Sequence, residues 1–308
     1  MILSCGEALI DMLPRTSPAG EACFAPYAGG AVMNTAIALG RLGAPSAFLS
    51  GLSTDLFGEV LVRALAESNV DTSLAIRSAR PTTLAFVKLV DGQASYAFYD
   101  ENTAGRMIRP SDLPALPASV RAMFFGGISL MVEPGGTTYE TLMAREAASG
   151  RVLMIDPNIR PSFISDEAAY RARIGRMTGM ADIVKVSDED LRWLEGQGEI
   201  AALARGLLAR GPRVVFVTEG ARGAHAFTAT QAVFVAAQKV SVADTVGAGD
   251  TFNAGVLAAL HAAGALTKAG VADLPEETLR AALSLGVRAA AVTVSRPGAN
   301  PPWANELA

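Results

Sequence analysis

The sequence predicts an α/β fold: a mostly parallel β-sheet with helices packed on both faces. Short β-branched or aromatic runs alternate with longer Ala- and Leu-rich stretches, the pattern of a parallel sheet whose crossover helices cover it. Half of the 308 residues are hydrophobic and 18% are charged, which supplies a large core and excludes a disordered chain. No internal repeat or low-complexity linker divides the sequence, so one domain over residues 1–308 is expected.

Taken in order, strands are expected at residues 2–5, 47–50, 123–125, 153–155, 183–186 and 214–218. Helices are expected between them at 32–42, 58–68, 139–149, 168–178 and 201–209. Two more, at 251–263 and 276–292, close the chain. One region breaks the alternation. Residues 83–90 and 94–99 read as two strands joined by Asp91-Gly92, a hairpin signal. Residues 11–27, rich in Pro, Gly and Ala, read as irregular before Gly29-Gly30.

Composition narrows the function. A net charge of −4 with no long basic run argues against nucleic acid or an anionic membrane as partner. Cys5 and Cys23 give no disulfide framework and fit a reducing compartment. With His225 and His261 as the only histidines, both read as structural, no Cys/His metal cluster can be assembled. The N-terminal stretch has no basic leader and is broken by Glu7 and Asp11, unlike a signal peptide. Apolar runs fall short of the roughly 18 residues that a membrane span needs. A soluble cytoplasmic protein is expected.

The richest stretch is 244–260, D-T-V-G-A-G-D-T-F-N-A-G-V-L-A-A-L. Gly247, Ala248 and Gly249 form a loop whose backbone N–H groups can approach an anion without side-chain obstruction. The helix after it is expected to begin near Asp250, aiming its positive dipole end at the same spot. Asp250 is then either an N-cap or a base beside an oxyanion site, and the loop alone does not choose.

Other motifs fall at strand ends. Gly29-Gly30-Ala31-Val32-Met33-Asn34 permits a tight turn into a helix, and Asn34 offers a donor and an acceptor suited to sugar hydroxyls. Asp11, past the first strand, stands where open α/β sheets bind ligands. Asp156-Pro157-Asn158-Ile159-Arg160 puts an Arg at the same edge, either meeting a phosphate or carboxylate or simply solvated. Ser187 fits an N-cap, with Asp190 three residues on as a shortened capping-box acid or as a group holding a metal–phosphate assembly through water. The turn Thr218-Glu219-Gly220-Ala221-Arg222-Gly223 is one a nucleotide could lie over. The chain has no G-x-x-x-x-G-K-[ST] loop, no G-x-S-x-G elbow and no G-x-G-x-x-G after its first strand, which removes the common ATPase, hydrolase and dinucleotide readings.

With these motifs in place the chain resembles the PfkB-type (ribokinase-like) carbohydrate kinases over essentially its whole length. D-T-V-G-A-G-D-T-F resembles that family's C-terminal signature, G-G-A-V-M-N-T-A-I-A-L-G-R-L-G its N-terminal one, and F-L-S-G-L-S-T-D-L-F-G follows in the expected place. The resemblance implies a three-layer ribokinase-like fold with a small β-sheet lid inserted at about 11–28 and 83–106. It implies that Asp250 takes the proton of the attacking sugar hydroxyl while the N–H groups of Gly247, Ala248 and Gly249 stabilise the transferring phosphoryl group. Asp11, Gly29, Gly30 and Asn34 would bind the sugar. Ser187, Thr218, Gly220, Gly223 and Asn253 would serve ATP. Asp190 stands where the family usually carries Glu in N-x-x-E, and Ser187 replaces the Asn; an indirect hold on Mg²⁺ is implied for Asp190. Asp244, Val246, Thr293 and Gly298 resemble a monovalent-cation (K⁺) site, with Pro302 in place of a usual polar ligand.

Within the family, G-E-A-L-I-D-M-L, F-Y-D-E-N-T-A-G, D-P-N-I-R-P and V-K-V-S-D-E-D look like bacterial fructokinases, and ribokinases typically have Lys where Ala31 stands. Substrate choice is expected from Asn34, the hairpin around Phe98 and Tyr99, and Arg160. The implied reaction is ATP-dependent phosphorylation of a primary hydroxyl, fructose giving fructose 6-phosphate. Two alternatives stay open. One is 2-keto-3-deoxygluconate kinase, with Arg106, Tyr99 and Arg160 meeting a carboxylate; the other is a non-catalytic sugar or nucleotide sensor. A homodimer paired through the lid is a further expectation of the resemblance.

Overall fold

The structure, a computed structural model, describes residues 1–90 and 93–307, so the expected Asp91-Gly92 turn lies outside the described residues. A nine-stranded sheet runs in the order Ala232–Ala236, Gly223–Phe227, Val214–Thr218, Ile183–Ser187, Val152–Asp156, Ala122–Gly126, Ile2–Cys5, Ser46–Leu49 and Val70–Asp71. All neighbours pair in parallel except Gly223–Phe227, which runs antiparallel to both Ala232–Ala236 and Val214–Thr218. The strands at the middle are buried along their whole length, which is why they read as continuous apolar runs.

Successive side chains leave the sheet on opposite faces, and each face has its own core. Ile2, Phe124, Met154 and Phe216 face the helices Ala31–Arg41, Leu56–Glu67, Ala248–Ala262 and Glu276–Val294. Leu3, Phe125, Ile155 and Val217 face Gly135–Ala147, Glu167–Met180, Asp188–Glu195 and Ile200–Leu208. The last two long helices on the first face cross closely, because a Cβ at Gly255 would lie 2.6 Å from the Gly286 Cα.

The stretch read as irregular, 11–27, is instead most of a hairpin. Leu9–Thr16 and Ala22–Gly29 pair antiparallel from Leu9↔Gly29 to Thr16↔Ala22. The two prolines that hid it sit where no ladder donor is needed. Pro26 is on the edge strand, and Pro14 lies past Ile10–Met12, the only part paired on the other side. This hairpin joins Leu84–Val90 and Gln93–Tyr99 in a separate four-stranded sheet. The sheet stands over the C-terminal ends of the parallel strands, since Leu9 follows Ile2–Cys5 after three residues.

Candidate active site

Asp156, Ser187 and Thr218 end three neighbouring parallel strands, and Glu7 and Gly127 follow two more; open α/β sheets bind ligands at that edge. The Ala248–Ala262 helix points into it. That helix starts two residues earlier than the sequence suggested, with Gly247 at the N-cap in the left-handed region (φ 78°). Asp250 is therefore the third helical residue and caps nothing. Ala248 N donates to the Thr245 carbonyl at 3.4 Å, and the N–H groups of Gly249 and Asp250, which a helix start leaves without intrahelical acceptors, make the turn a site for an anion.

Asp250 is 7% exposed. One carboxylate oxygen accepts from Asn34 Nδ2 at 2.9 Å, and its main-chain oxygen accepts from Thr35 Oγ1 at 3.2 Å. Burial pushes its carboxyl up to about 7; the Asn34 bond and Lys185 pull downward, and the charges of Asp156 and Glu7 push upward. Burial also lifts Asp11 to about 6 and, with help from Asp156, Asp190 to about 6. Asp11 and Asp250 border one cavity of the cleft and Asp190 borders none; carboxyls raised in this way are candidates for reacting groups.

On one side of Asp250 lies a cavity of about 630 Å³, bordered by Glu7, Asp11, Gly30, Asn34, Phe98, Gly127, Asn158, Arg160, Phe163 and the Gly247–Asp250 turn. Gly29 serves it indirectly, because any side chain there would run into the Asp11 carboxylate. Gly30 (φ 105°) makes the sharp entry to the Ala31–Arg41 helix. Phe98 meets Phe163 edge-on at 4.2 Å. Arg160 Nη1 donates to the Ile159 carbonyl at 3.0 Å. Two expected residues are not brought in. Tyr99, one position past Phe98 on an extended strand, points to the other face, packs edge-on to Phe86 at 5.5 Å and is 63% exposed. Arg106 pairs with Asp100 at 3.0 Å and donates to the Glu133 carbonyl at 3.1 Å.

On the other side lies a cavity of about 470 Å³, walled by Thr218, Gly220, Gly223, Lys239, Val240, Val242, Phe252, Val287, Ala290, Ala291 and Val294. Thr218, Gly220 and Gly223, which the resemblance assigns to ATP, border this cavity. Ser187 does not border it; its hydroxyl accepts from Asp190 N at 2.9 Å and caps the Asp188–Glu195 helix. Asn253 does not border it either. It is 1% exposed and donates to Asp156 Oδ2 at 2.7 Å, facing inward from the second turn of its helix. The two cavities meet at Thr245, Ala248 and Gly249, which border both.

Behind that junction Lys185 Nζ donates to Asp156 Oδ2 at 2.8 Å, both side chains buried. A Cβ at Gly249 would lie 3.1 Å from this ammonium, so the first turn is backed by the cationic end of a buried ion pair. The loops of the expected cation site do converge. Asp244 accepts from Val246 N and Gly298 N, each at 3.0 Å, and Thr293 Oγ1 shares a hydrogen bond with Thr251 Oγ1 at 3.0 Å. Each of these side-chain oxygens takes part in a hydrogen bond and keeps a further lone pair. Among the described residues no group of three or more His, Cys, Asp or Glu could hold a metal, and no helix is long and apolar enough to cross a membrane.

Sequence reasoning missed Glu7, Gly127 and Phe163 on the first cavity and residues 237–240 and Val242 on the second. Glu7 alone had a signal, a carboxylate just past the first strand like Asp11. The others become neighbours only through the fold.

A family model described as pfkB family carbohydrate kinase matches residues 1–306. A fructokinase of Rhizobium leguminosarum bv. trifolii is 57% identical over 280 residues, 91% of this chain and 86% of that protein. The crystal structure of a Xylella fastidiosa fructokinase with bound ATP superposes with a TM-score of 0.89 at 30% identity, covering 99% of this chain and 97% of that one. A Vibrio cholerae O395 fructokinase with fructose, ADP and potassium ion bound superposes with a TM-score of 0.84 at 26% identity, covering 97% and 93%.

Proposed function

The chain belongs to the pfkB family of carbohydrate kinases, and from that premise we propose that it moves the γ-phosphoryl group of ATP to a primary hydroxyl of fructose, giving fructose 6-phosphate and ADP. The observation that carries this reading is the pair of cavities meeting at the Gly247–Asp250 turn. Sugar occupies the cavity of Asp11 and Asn34, ATP the aliphatic one, and the transferring group crosses the first turn of the Ala248–Ala262 helix. Asp250 accepts the hydroxyl proton as the oxygen attacks phosphorus; the P–O bond to ADP breaks and ADP leaves with that electron pair. The first-turn N–H groups, the helix dipole and Lys185 meet the charge spread over the phosphoryl oxygens. Asp11 accepts from sugar hydroxyls and Asn34 orients Asp250.

Mg²⁺ would be held mostly by nucleotide phosphates and water, with Asp190 reaching it only through water, since among the described residues no group of three or more His, Cys, Asp or Glu forms an all-protein cage. It would supply charge neutralisation on the phosphates. A potassium-sized cation would sit among main-chain carbonyls of the loops joined by the Asp244–Gly298 bond. The four-stranded sheet acts as a lid that excludes water from the transfer. Its outer aromatic residues Phe24 and Tyr99, which flank Phe86, are 47% and 63% exposed, and we read this face as pairing with a second copy. With two free cysteines the enzyme suits the cytoplasm.

A sugar acid is disfavoured because Tyr99 and Arg106 turn away from the sugar cavity, leaving Arg160 alone of the three groups suited to a carboxylate. The test is a coupled ADP-release screen over fructose, ribose, tagatose, adenosine and 2-keto-3-deoxygluconate. Release with fructose is expected. Release with the keto-acid alone would overturn the substrate, and binding of fructose and ATP with no ADP formed would overturn the kinase.

A further inference from the structure

Glu7 has no part in the reaction as written, yet the sugar cavity is built around it. It is 7% exposed, and both carboxylate oxygens are used: Oε1 accepts from Ala31 N at 3.0 Å and Oε2 from Ser129 N at 3.2 Å. Its main-chain oxygen accepts from Met33 N at 3.3 Å. The Ala31–Arg41 helix has Gly30 at its N-cap and no acid in its first turn, so Glu7 supplies from another element the negative charge that a helix start favours. Ser129 belongs to the opposite wall, in the turn with Gly127 and Ile128 that follows the Ala122–Gly126 strand.

The backbone makes room for this carboxylate on both sides. Gly127 has φ 69°, and a side chain there would run into the Glu7 carboxylate; at Gly30 a Cβ would lie 3.0 Å from the Glu7 carbonyl oxygen. One turn beyond Ala31, Asn34 and Thr35 hold Asp250 at 2.9 and 3.2 Å. A hydrogen-bonded path therefore runs from Glu7 through one helical turn to the base.

We propose that Glu7 is a positioning residue for the sugar and for Asp250: it ties the two walls of the sugar cavity together and fixes the helix start from which Asn34 reaches the base. This rests on the sugar-kinase reading above. The nucleotide cavity shares with the sugar cavity Thr245, Ala248 and Gly249, none of which bonds Glu7, so the effect on binding is confined to one substrate.

Glu7→Gln keeps the volume but turns an NH₂ toward a backbone donor, losing one of the two bonds. The expected result is a higher KM for fructose and a lower kcat, with kcat/KM for fructose down roughly ten- to hundredfold and KM for ATP within about twofold of wild type. Glu7→Asp, which keeps the charge but shortens the reach, gives the same split, and calorimetric ADP binding reports that each variant is folded. Equal losses for both substrates, or a lower melting temperature with unchanged fructose kinetics, overturn the assignment of Glu7 alone. A wild type that releases no ADP with any sugar overturns the kinase reading and this one together.

Discussion

The sugar-side and nucleotide-side cavities share Thr245, Ala248 and Gly249 but are held in shape by different means. On the sugar side, polar side chains are fixed by other groups from distant segments: Asn34 by Asp250, Glu7 by the N–H groups of Ala31 and Ser129, and Asp11 in the space that Gly29 leaves. On the nucleotide side, the Glu276–Val294 helix presents Val287, Ala290, Ala291 and Val294, and glycine turns close the far end. The first is directional and depends on partners; the second depends on shape and apolar area. In the function proposed above, sugar identity would be read by hydrogen bonds, which discriminate strongly because a mismatched group leaves a buried partner unpaired. The nucleotide is held by fit.

That contrast breaks differently under mutation. Asp11→Ala removes a carboxylate positioned for two hydroxyls, so kcat/KM for fructose should fall roughly a hundredfold or more with KM for ATP unchanged; steady-state kinetics with each substrate varied checks it. Ala291→Phe overfills the aliphatic wall and should raise KM for ATP about tenfold, leaving KM for fructose alone. If either substitution weakens both substrates alike, the cavities are not independent.

The pH profile sharpens the comparison. The base works when deprotonated, and burial raises Asp250 to about 7, so the inactive protonated form gains as pH falls through neutrality. Between about pH 7 and 6 kcat/KM for fructose should drop about tenfold per pH unit, more steeply below 6 where Asp11 is protonated as well, and level off above 7. Ala291→Phe should leave this profile in place. A base at the ordinary 3.8 would give a flat profile from about pH 6 to 8 instead.

The same division explains what was legible in the sequence. The Gly247–Asp250 turn could be read because a left-handed residue and bare N–H groups require small residues in a row, and the central strands because burial on both faces makes them uniformly apolar. Thr218, Gly220 and Gly223 were legible for the reason that the turn was. Tyr99 and Arg106 were misassigned because neighbours on a strand diverge and because Asp100 and the Glu133 carbonyl had the stronger claim on Arg106. Asn253 and Ser187 stand near the right place in sequence, but helix phase turns one inward and capping occupies the other. Glu7 was missed because Gly127 and Ser129, which reveal its place, lie about 120 residues away.

The central claim is that Asp250, between the two cavities, takes the proton of the sugar hydroxyl as the phosphoryl group is transferred. Turnover of Asp250→Asn at saturating fructose and MgATP tests it most directly, with binding of each ligand measured on the same preparation. The amide oxygen can still accept from Asn34, so the cleft is kept. A fall in kcat on the order of 10² to 10⁴ with both affinities near wild type is expected; near-normal turnover would contradict the account.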